Sequence, residues 1–268
     1  MAAPRAAATI LVLTETSAKE SMKVLMIKRH SKARFMANTY VFPGGCVDAT
    51  DREEAAKLNA SIPMAEFRVA ALRELWEETG VSFHGDGSAF VGSAFVAPGP
   101  EQLSKLAPFA HWVTPKQEKY RYDTRFFLCR AANSGADSLP VRGDPKEVDD
   151  VRWVAPRDAL ALHAAKDSNF KLPPPTFLIM QSLVLAAQSA EELIGRYLGL
   201  YGSEEGLRTM PRVEPVIDMA CQPVRIYVRP EWVHLSPGVH AAGPAAIHVG
   251  DALPELPPYQ PQAPQAKL

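Results

Sequence analysis

Very little charge is left over in this chain. Its 29 Lys and Arg stand against 30 Asp and Glu, a formal net charge of −1 over 268 residues. No global positive field exists to hold nucleic acid, so nucleic acid is not an expected partner and any anion must be recognised by a local cluster. Cysteine is scarce: Cys46, Cys129 and Cys221 form neither a Cys-x-x-Cys pair nor an even set. That argues against a zinc site and a disulfide framework, and favours a reducing compartment. No window supplies the roughly eighteen uninterrupted apolar residues of a membrane span, since the best one, Thr176 to Ala187, is broken by Gln181. There is no internal repeat. Hydrophobic residues at 47% and charged residues at 22% still describe an ordinary globular chain with apolar mass for a full core.

What the chain does have is a concentration of acid. In Arg73-Glu74-Leu75-Trp76-Glu77-Glu78-Thr79-Gly80-Val81 the three glutamates stand at i, i+3 and i+4 of a helix, so they share a face while Leu72 and Trp76 take the opposite one. Like charges so placed repel. A hard divalent cation, which takes oxygen ligands, is the usual reason to keep them. Upstream, Phe42-Pro43-Gly44-Gly45 is a turn that lets the backbone come close to a ligand. Before both, Lys28, Arg29, His30, Lys32 and Arg34 put positive charge just ahead of the glycines, suited to phosphate groups.

Apolar and β-branched runs at Thr9–Thr14 and Lys23–Ile27 predict a hairpin, which makes the Ala-rich start at Met1–Leu13 the lead into a strand rather than a targeting segment. A short strand at Thr39–Phe42 follows, then a partly helical excursion at Asp48–Ser61. A helix with Pro63 in its first turn should run to about Thr79. Strands are expected around Phe90-Val91, Phe95-Val96, Trp112-Val113, Tyr122–Cys129 and Val151–Val154. Pro175–Leu198 reads as one long second helix. From Leu253 onward Pro and Gln dominate, as in a flexible tail.

The acidic run resembles the Nudix box of the Nudix hydrolase superfamily, Gly-x5-Glu-x7-Arg-Glu-apolar-x-Glu-Glu-x-Gly-apolar. Its second half matches from Arg73 to Val81. The first half departs from the pattern: Gly45 precedes Arg73 by 28 positions where the pattern has about 14. Asp51 sits at the glycine-side spacing and Glu66 near the helix-side spacing, and the spacing does not choose between them. The resemblance implies an α/β fold, the Nudix αβα sandwich with a mixed sheet. It implies a domain over 9–198 carrying an insertion at about 49–62, with an extension at 199–252 packed on or beside it and a tail at 253–268. It further implies that Glu77 and Glu78, with Glu74, hold Mg²⁺ or Mn²⁺, that Arg73 holds a carboxylate, and that Glu147 is a candidate general base. Gly44 and Gly45 would approach the metal and phosphates.

A second resemblance narrows the family. Arg29, Arg34 and Phe42-Pro43-Gly44-Gly45 keep the spacing of the signature of coenzyme A diphosphatases, with Ile27, His30 and Asn38 standing where that signature has threonine, a small residue and glycine. The stretches Arg34–Asp48 and His111–Phe127 are similar to the peroxisomal branch, and Ala266-Lys267-Leu268 is close to a peroxisomal address read by an import receptor. This implies coenzyme A or acyl-coenzyme A as substrate, with Lys28, Arg29, Arg34, Phe42, Gly44 and Gly45 at the substrate. Two rivals stay open: a diphosphatase for NADH, ADP-ribose or an RNA cap, and a silent module that only binds a nucleotide.

Overall fold

The computed structural model describes residues 3–15, 22–58, 62–132, 136–165, 168–186, 189–218, 225–228 and 245–248. Cys221, the Pro/Gln-rich end and Ala266-Lys267-Leu268 lie outside them. Its elements are, in chain order, β1 (Arg5–Glu15), β2 (Met22–Arg29), β3 (Tyr40–Val41), β4 (Gly44–Cys46), α1 (Ala49–Lys57), α2 (Ala65–Thr79), β5 (Val81–Phe83), β6 (Ala89–Val91), α3 (Pro100–Ser104), β7 (Ala107–Val113), β8 (Tyr122–Arg130), β9 (Val148–Val154), α4 (Pro156–Ala164), α5 (Pro174–Ala186), α6 (Ala190–Tyr201), α7 (Glu204–Thr209) and β10 (Arg212–Val213). Three short strands at 216–218, 225–228 and 245–248 pair with one another.

β1 organises the rest. Ile10 and Val12 point into one core while Leu11 and Leu13 point into the other, all four without exposed surface. A strand covered on both faces needs such a continuous apolar run. β1 pairs antiparallel with β2, as the hairpin pattern predicts, and parallel with β8, which makes the sheet mixed. Lower down β1, the partner changes from β2 to β4, with Ala7, Ala8 and Thr9 opposite Cys46, Gly45 and Gly44. In the eight-stranded sheet β7 flanks β8, β9 lies against β2, and β10 extends the edge beyond β7. Helix α2 covers one face with Val69, Leu72 and Leu75. The other face is covered by α4, α5 and α6 through residues such as Leu160, Met180, Leu183, Leu193 and Tyr197. The result is a three-layer α/β sandwich, the expected fold class.

Three local expectations are corrected. Pro63 precedes α2, whose N-cap is Met64 in the left-handed region at φ 55°, so the proline sets the approach rather than the first turn. Phe95 and Val96 are not in a strand; β6 ends at Val91 and Phe95 instead packs its ring toward Trp76. The long second helix is two. Ser189 interrupts it by accepting a hydrogen bond from the Glu192 backbone while Glu192 accepts from the Ser189 backbone, a capping box that starts α6.

α2 is fixed at its N-terminal half by a buried cation. Arg68, 2% exposed, donates to the Pro63, Leu103 and Leu106 carbonyls and lies over the Phe127 ring. Charge-assisted bonds of this kind compensate a guanidinium that burial would otherwise make costly. At the other end Gly80 takes the left-handed cap at φ 73° and its N–H returns to the Trp76 carbonyl. The helix that carries the acids therefore has both ends set. Among the described residues no helix is long and apolar enough to cross a membrane.

Candidate active site

The site begins where β3 runs into β4. Phe42 is 2% exposed and belongs to the core beneath α5, so its ring anchors the loop from inside and does not line the mouth. The Pro43 carbonyl accepts from Ile10 N–H, which brings Gly44 and Gly45 alongside β1. Gly44 is required there: it sits at φ 155°, where a Cβ would run into the Ala8 carbonyl and Thr9, while a Cβ on Gly45 would press on the Glu74 carboxylate and push it aside. The Gly44 N–H is left free to donate to Glu78 Oε2 at 2.8 Å.

The three glutamates of α2 separate by environment. Glu78 is buried against Gly44, and burial, reinforced by the neighbouring charges of Glu74 and Glu147, pushes its carboxyl up to about 8. Burial does the same to Glu74, raising it to about 7 despite the adjacent Arg73. Glu77 has a side chain 45% exposed and turns outward to Arg73. Glu74 and Glu78 thus form the inner pair. Among the described residues no three His, Cys, Asp or Glu groups converge into a complete ligand set.

Arg73 is the hub that sequence spacing left without its principal partner. Its Nε and Nη2 each contact Asp51 at 2.9 Å, Nη1 contacts Glu74 at 3.0 Å and Glu77 at 2.8 Å, and Nη2 also donates to the Cys46 carbonyl. Asp51 is 1% exposed and simultaneously accepts from the Asp48 N–H in the capping box of α1. Of the two acids that the spacing left open, Asp51 is the one that meets the box arginine. Glu66, in the first turn of α2, acts on Arg125 instead. The deciding signal was in the sequence: Asp51 stands six residues after Gly45, and the extra residues all come after it.

The NUDIX domain family model matches residues 3–173, well over half of the chain. The chain belongs to the Nudix family. It is 33% identical over 188 residues to "Putative nudix hydrolase 7" of Caenorhabditis elegans, covering 64% of this chain and 57% of that protein. It is 24% identical over 232 residues to the acyl-coenzyme A diphosphatase NUDT19 of Xenopus laevis, covering 60% of this chain and 59% of the relative. The matches span somewhat under two thirds of these relatives' own length. The crystal structure of a NUDIX hydrolase from Alicyclobacillus acidocaldarius, 24% identical, aligns over 73% of this chain and 97% of that one with a TM-score of 0.55. That likeness carries the fold.

The remaining Nudix-site residues come from the loop after β2 and the turn before β9. Arg29 ends β2 on the α2 side of the sheet, and its charge favours the ionised form of Glu78. Lys28 points to the other face, opposite Tyr40 and Asp150, and Arg34 is exposed on the loop. Asn38, where the coenzyme A signature has glycine, holds φ 59°. Asparagine is among the side chains that tolerate this left-handed conformation. Glu147 is exposed at the end of a turn closed by Asp144, with its carbonyl accepting from His30 N–H and its charge acting on both Glu74 and Glu78. The structure therefore brings Arg29, Glu147, Glu74, Glu78 and the two glycines to one place and leaves Phe42 and Lys28 away from it.

Nudix hydrolases generally use divalent cations, and these residues fit one. The donors are all oxygen, and the inner pair is buried enough to resist ionisation without a counter-charge. Glu74 and Glu78 would hold the ion, with Glu77 at its outer side. Bound there, it would supply charge neutralisation to phosphate oxygens and acidify a water.

Two outcomes follow from this geometry. Asp51→Asn removes the charge opposite a largely buried guanidinium, a change that costs about 3–5 kcal/mol in such settings. Urea unfolding should show a loss of that order, with activity falling in parallel; a midpoint unchanged from the parent chain would refute the hub. The second concerns pH. An acid whose pKa is raised on folding binds more protons folded than unfolded, so the two glutamates weaken the metal-free protein as pH rises from about 4.5 through about 7 and 8. Metal-free Tm should decline over that window, Glu78→Gln should flatten the decline, and Mg²⁺ should raise Tm more at pH 8 than at pH 6. A Mg²⁺ effect independent of pH would count against the inner pair as the ion's ligands.

Proposed function

We propose that the protein hydrolyses the diphosphate bond of coenzyme A and acyl-coenzyme A, with Mg²⁺ or Mn²⁺, to 3′,5′-ADP and (acyl-)4′-phosphopantetheine. The observation that carries the reading is the placement of Arg29. A guanidinium at coenzyme A signature spacing ends β2 close enough for its charge to act on Glu78, the most buried of the three glutamates. The relatives named acyl-coenzyme A diphosphatase, from Xenopus laevis and Homo sapiens, support the same substrate class at 24% and 23% identity.

In this scheme Arg29 binds and orients the diphosphate through charge-assisted hydrogen bonds. Arg34, exposed on the same loop, reaches the nucleotide's outer phosphate. Arg73 touches no substrate; it keeps Glu74 and Glu77 in place. A water oxygen attacks one phosphorus as the bond from that phosphorus to the bridging oxygen breaks. The water's proton passes to Glu147, and the bridging oxygen leaves on the other monophosphate. The signature-like terminus Ala266-Lys267-Leu268 makes the peroxisome the proposed location, through an import receptor. Deleting those three residues should release a tagged protein into the cytosol with activity unchanged; punctate signal after deletion would argue against it.

A panel of coenzyme A, NADH, ADP-ribose and capped RNA with product identification tests the substrate. Within it, Arg34→Ala should lower kcat/KM for coenzyme A more than for dephospho-coenzyme A, which lacks the 3′-phosphate, whereas Arg29→Ala, which loses a contact to the diphosphate that both share, should lower both alike. One lost charge-assisted contact is worth roughly 1.5–3 kcal/mol, on the order of ten- to a hundredfold. If Arg34→Ala leaves the ratio unmoved, Arg34 does not read the 3′-phosphate; if Arg29→Ala leaves both substrates untouched, Arg29 does not hold the diphosphate. Greater turnover of NADH or capped RNA by the unaltered protein would remove the coenzyme A assignment.

A further inference from the structure

The two stretches that carry the coenzyme A diphosphatase resemblance lie far apart in the chain and meet at one ring pair. Phe35, from the loop after β2, and Tyr122, the first residue of β8, have ring centroids 5.5 Å apart at an interplanar angle of 52°. Neither ring is buried. The inner glutamates and Arg29 account for a metal and a diphosphate; nothing described above uses these aromatics.

Phe35 is held in place by its loop. The Phe35 carbonyl accepts from Arg29 Nε at 3.2 Å, Asn38 N–H returns to the Arg29 carbonyl, and Thr39 Oγ1 donates to the Met36 carbonyl at 2.6 Å. Met36 and Asn38 both sit in the left-handed region, at φ 52° and 59°. For methionine that conformation is uncommon, and strain of this kind persists where the surroundings fix it, often beside a ligand. Tyr122 is fixed independently: its N–H meets Thr114 Oγ1, its carbonyl accepts from Thr114 N–H, and it pairs with Arg5 of β1. Two half-exposed rings, each pinned by its own backbone, form a rigid apolar step. One guanidinium joins that step to the site, because Arg29 holds the Phe35 carbonyl while its charge acts on Glu78.

We propose that Phe35 and Tyr122 form a seat on which the purine base of the nucleotide half stacks, with the phosphates running over Arg29 toward Glu78. Every base has a π-face, so such a seat adds affinity for the nucleoside without a hydrogen-bond code. It would favour adenosine-containing diphosphates over diphosphates without an aromatic end. The proposal rests on the diphosphatase reading and specifies which part of the molecule binds the base.

The test uses the full chain with Mg²⁺ and two probes, 3′,5′-ADP and inorganic pyrophosphate, measured by calorimetry. Phe35→Leu and Tyr122→Leu should each weaken 3′,5′-ADP by about tenfold, the size of one lost base-stacking contact, and leave pyrophosphate unchanged. Phe35→Tyr, which keeps the ring, should retain the parent affinity. Unchanged 3′,5′-ADP binding in both leucine variants overturns the seat while leaving the diphosphatase reading intact. An equal loss for both probes also overturns it, since the rings would then only support the fold. If the unaltered protein binds pyrophosphate but not 3′,5′-ADP, the coenzyme A reading fails and the seat with it.

Discussion

The bidentate contact between Arg73 and Asp51 is the interaction on which the site depends. Three glutamates within one and a half helical turns repel one another by a few tenths of a kcal/mol per pair. Breaking a buried ion pair costs about ten times that. The arginine therefore sets the arrangement: it draws Glu77 outward, steadies Glu74, and through the Cys46 carbonyl ties α2 to the strand that carries the glycines. Because Asp51 also begins α1, a single carboxylate links the inserted helix, the glycine strand and the acidic helix.

The division of labour among the glutamates is an electrostatic consequence of where β4 lies. Its lack of side chains lets α2 approach β1 so closely that Glu78 is stripped of water and left with one N–H donor. A carboxylate in that position is poorly stabilised until a cation arrives. In the metal-free state the inner carboxyls keep their protons to higher pH, and a bound cation would favour their ionised form. Stability and the proposed metal site thus draw on the same two groups.

Much of this was legible in the chain. The acid spacing located α2 and its capping glycine, and the apolar runs located β1, β2 and β8, because a strand buried on both faces and a helix end have strong local signatures. Other features depended on competition between local signals. The stretch from Pro175 to Leu198 has helical periodicity throughout, yet Ser189 and Glu192 form a capping box that outweighs it. Phe95-Val96 has strand-forming residues but no neighbouring strand to pair with, and Trp76 offers its ring instead. Phe42 sits in a motif that suggests ligand contact, and only the packing beneath α5 shows that its ring faces inward. Asp51 could be narrowed to one of two by counting; choosing required the contact with Arg73.

The extra residues in the box have a further consequence for how such chains can change. Twenty-one residues separate Asp51 from Arg73, and lengthening a closed loop threefold costs only about 1 kcal/mol, because closure entropy grows with the logarithm of length. The position of the acids is fixed by Asp51 at one end and by α2, with Arg68, Val69 and Leu72 packed in place, at the other. So long as an acid remains six residues after Gly45 and α2 keeps those anchors, the part of the span that precedes α2 can lengthen, shorten or acquire a helix without moving Glu74 or Glu78. The insertion is in effect a graft point: a place where new surface can be added to the molecule while the chemistry beneath stays in register.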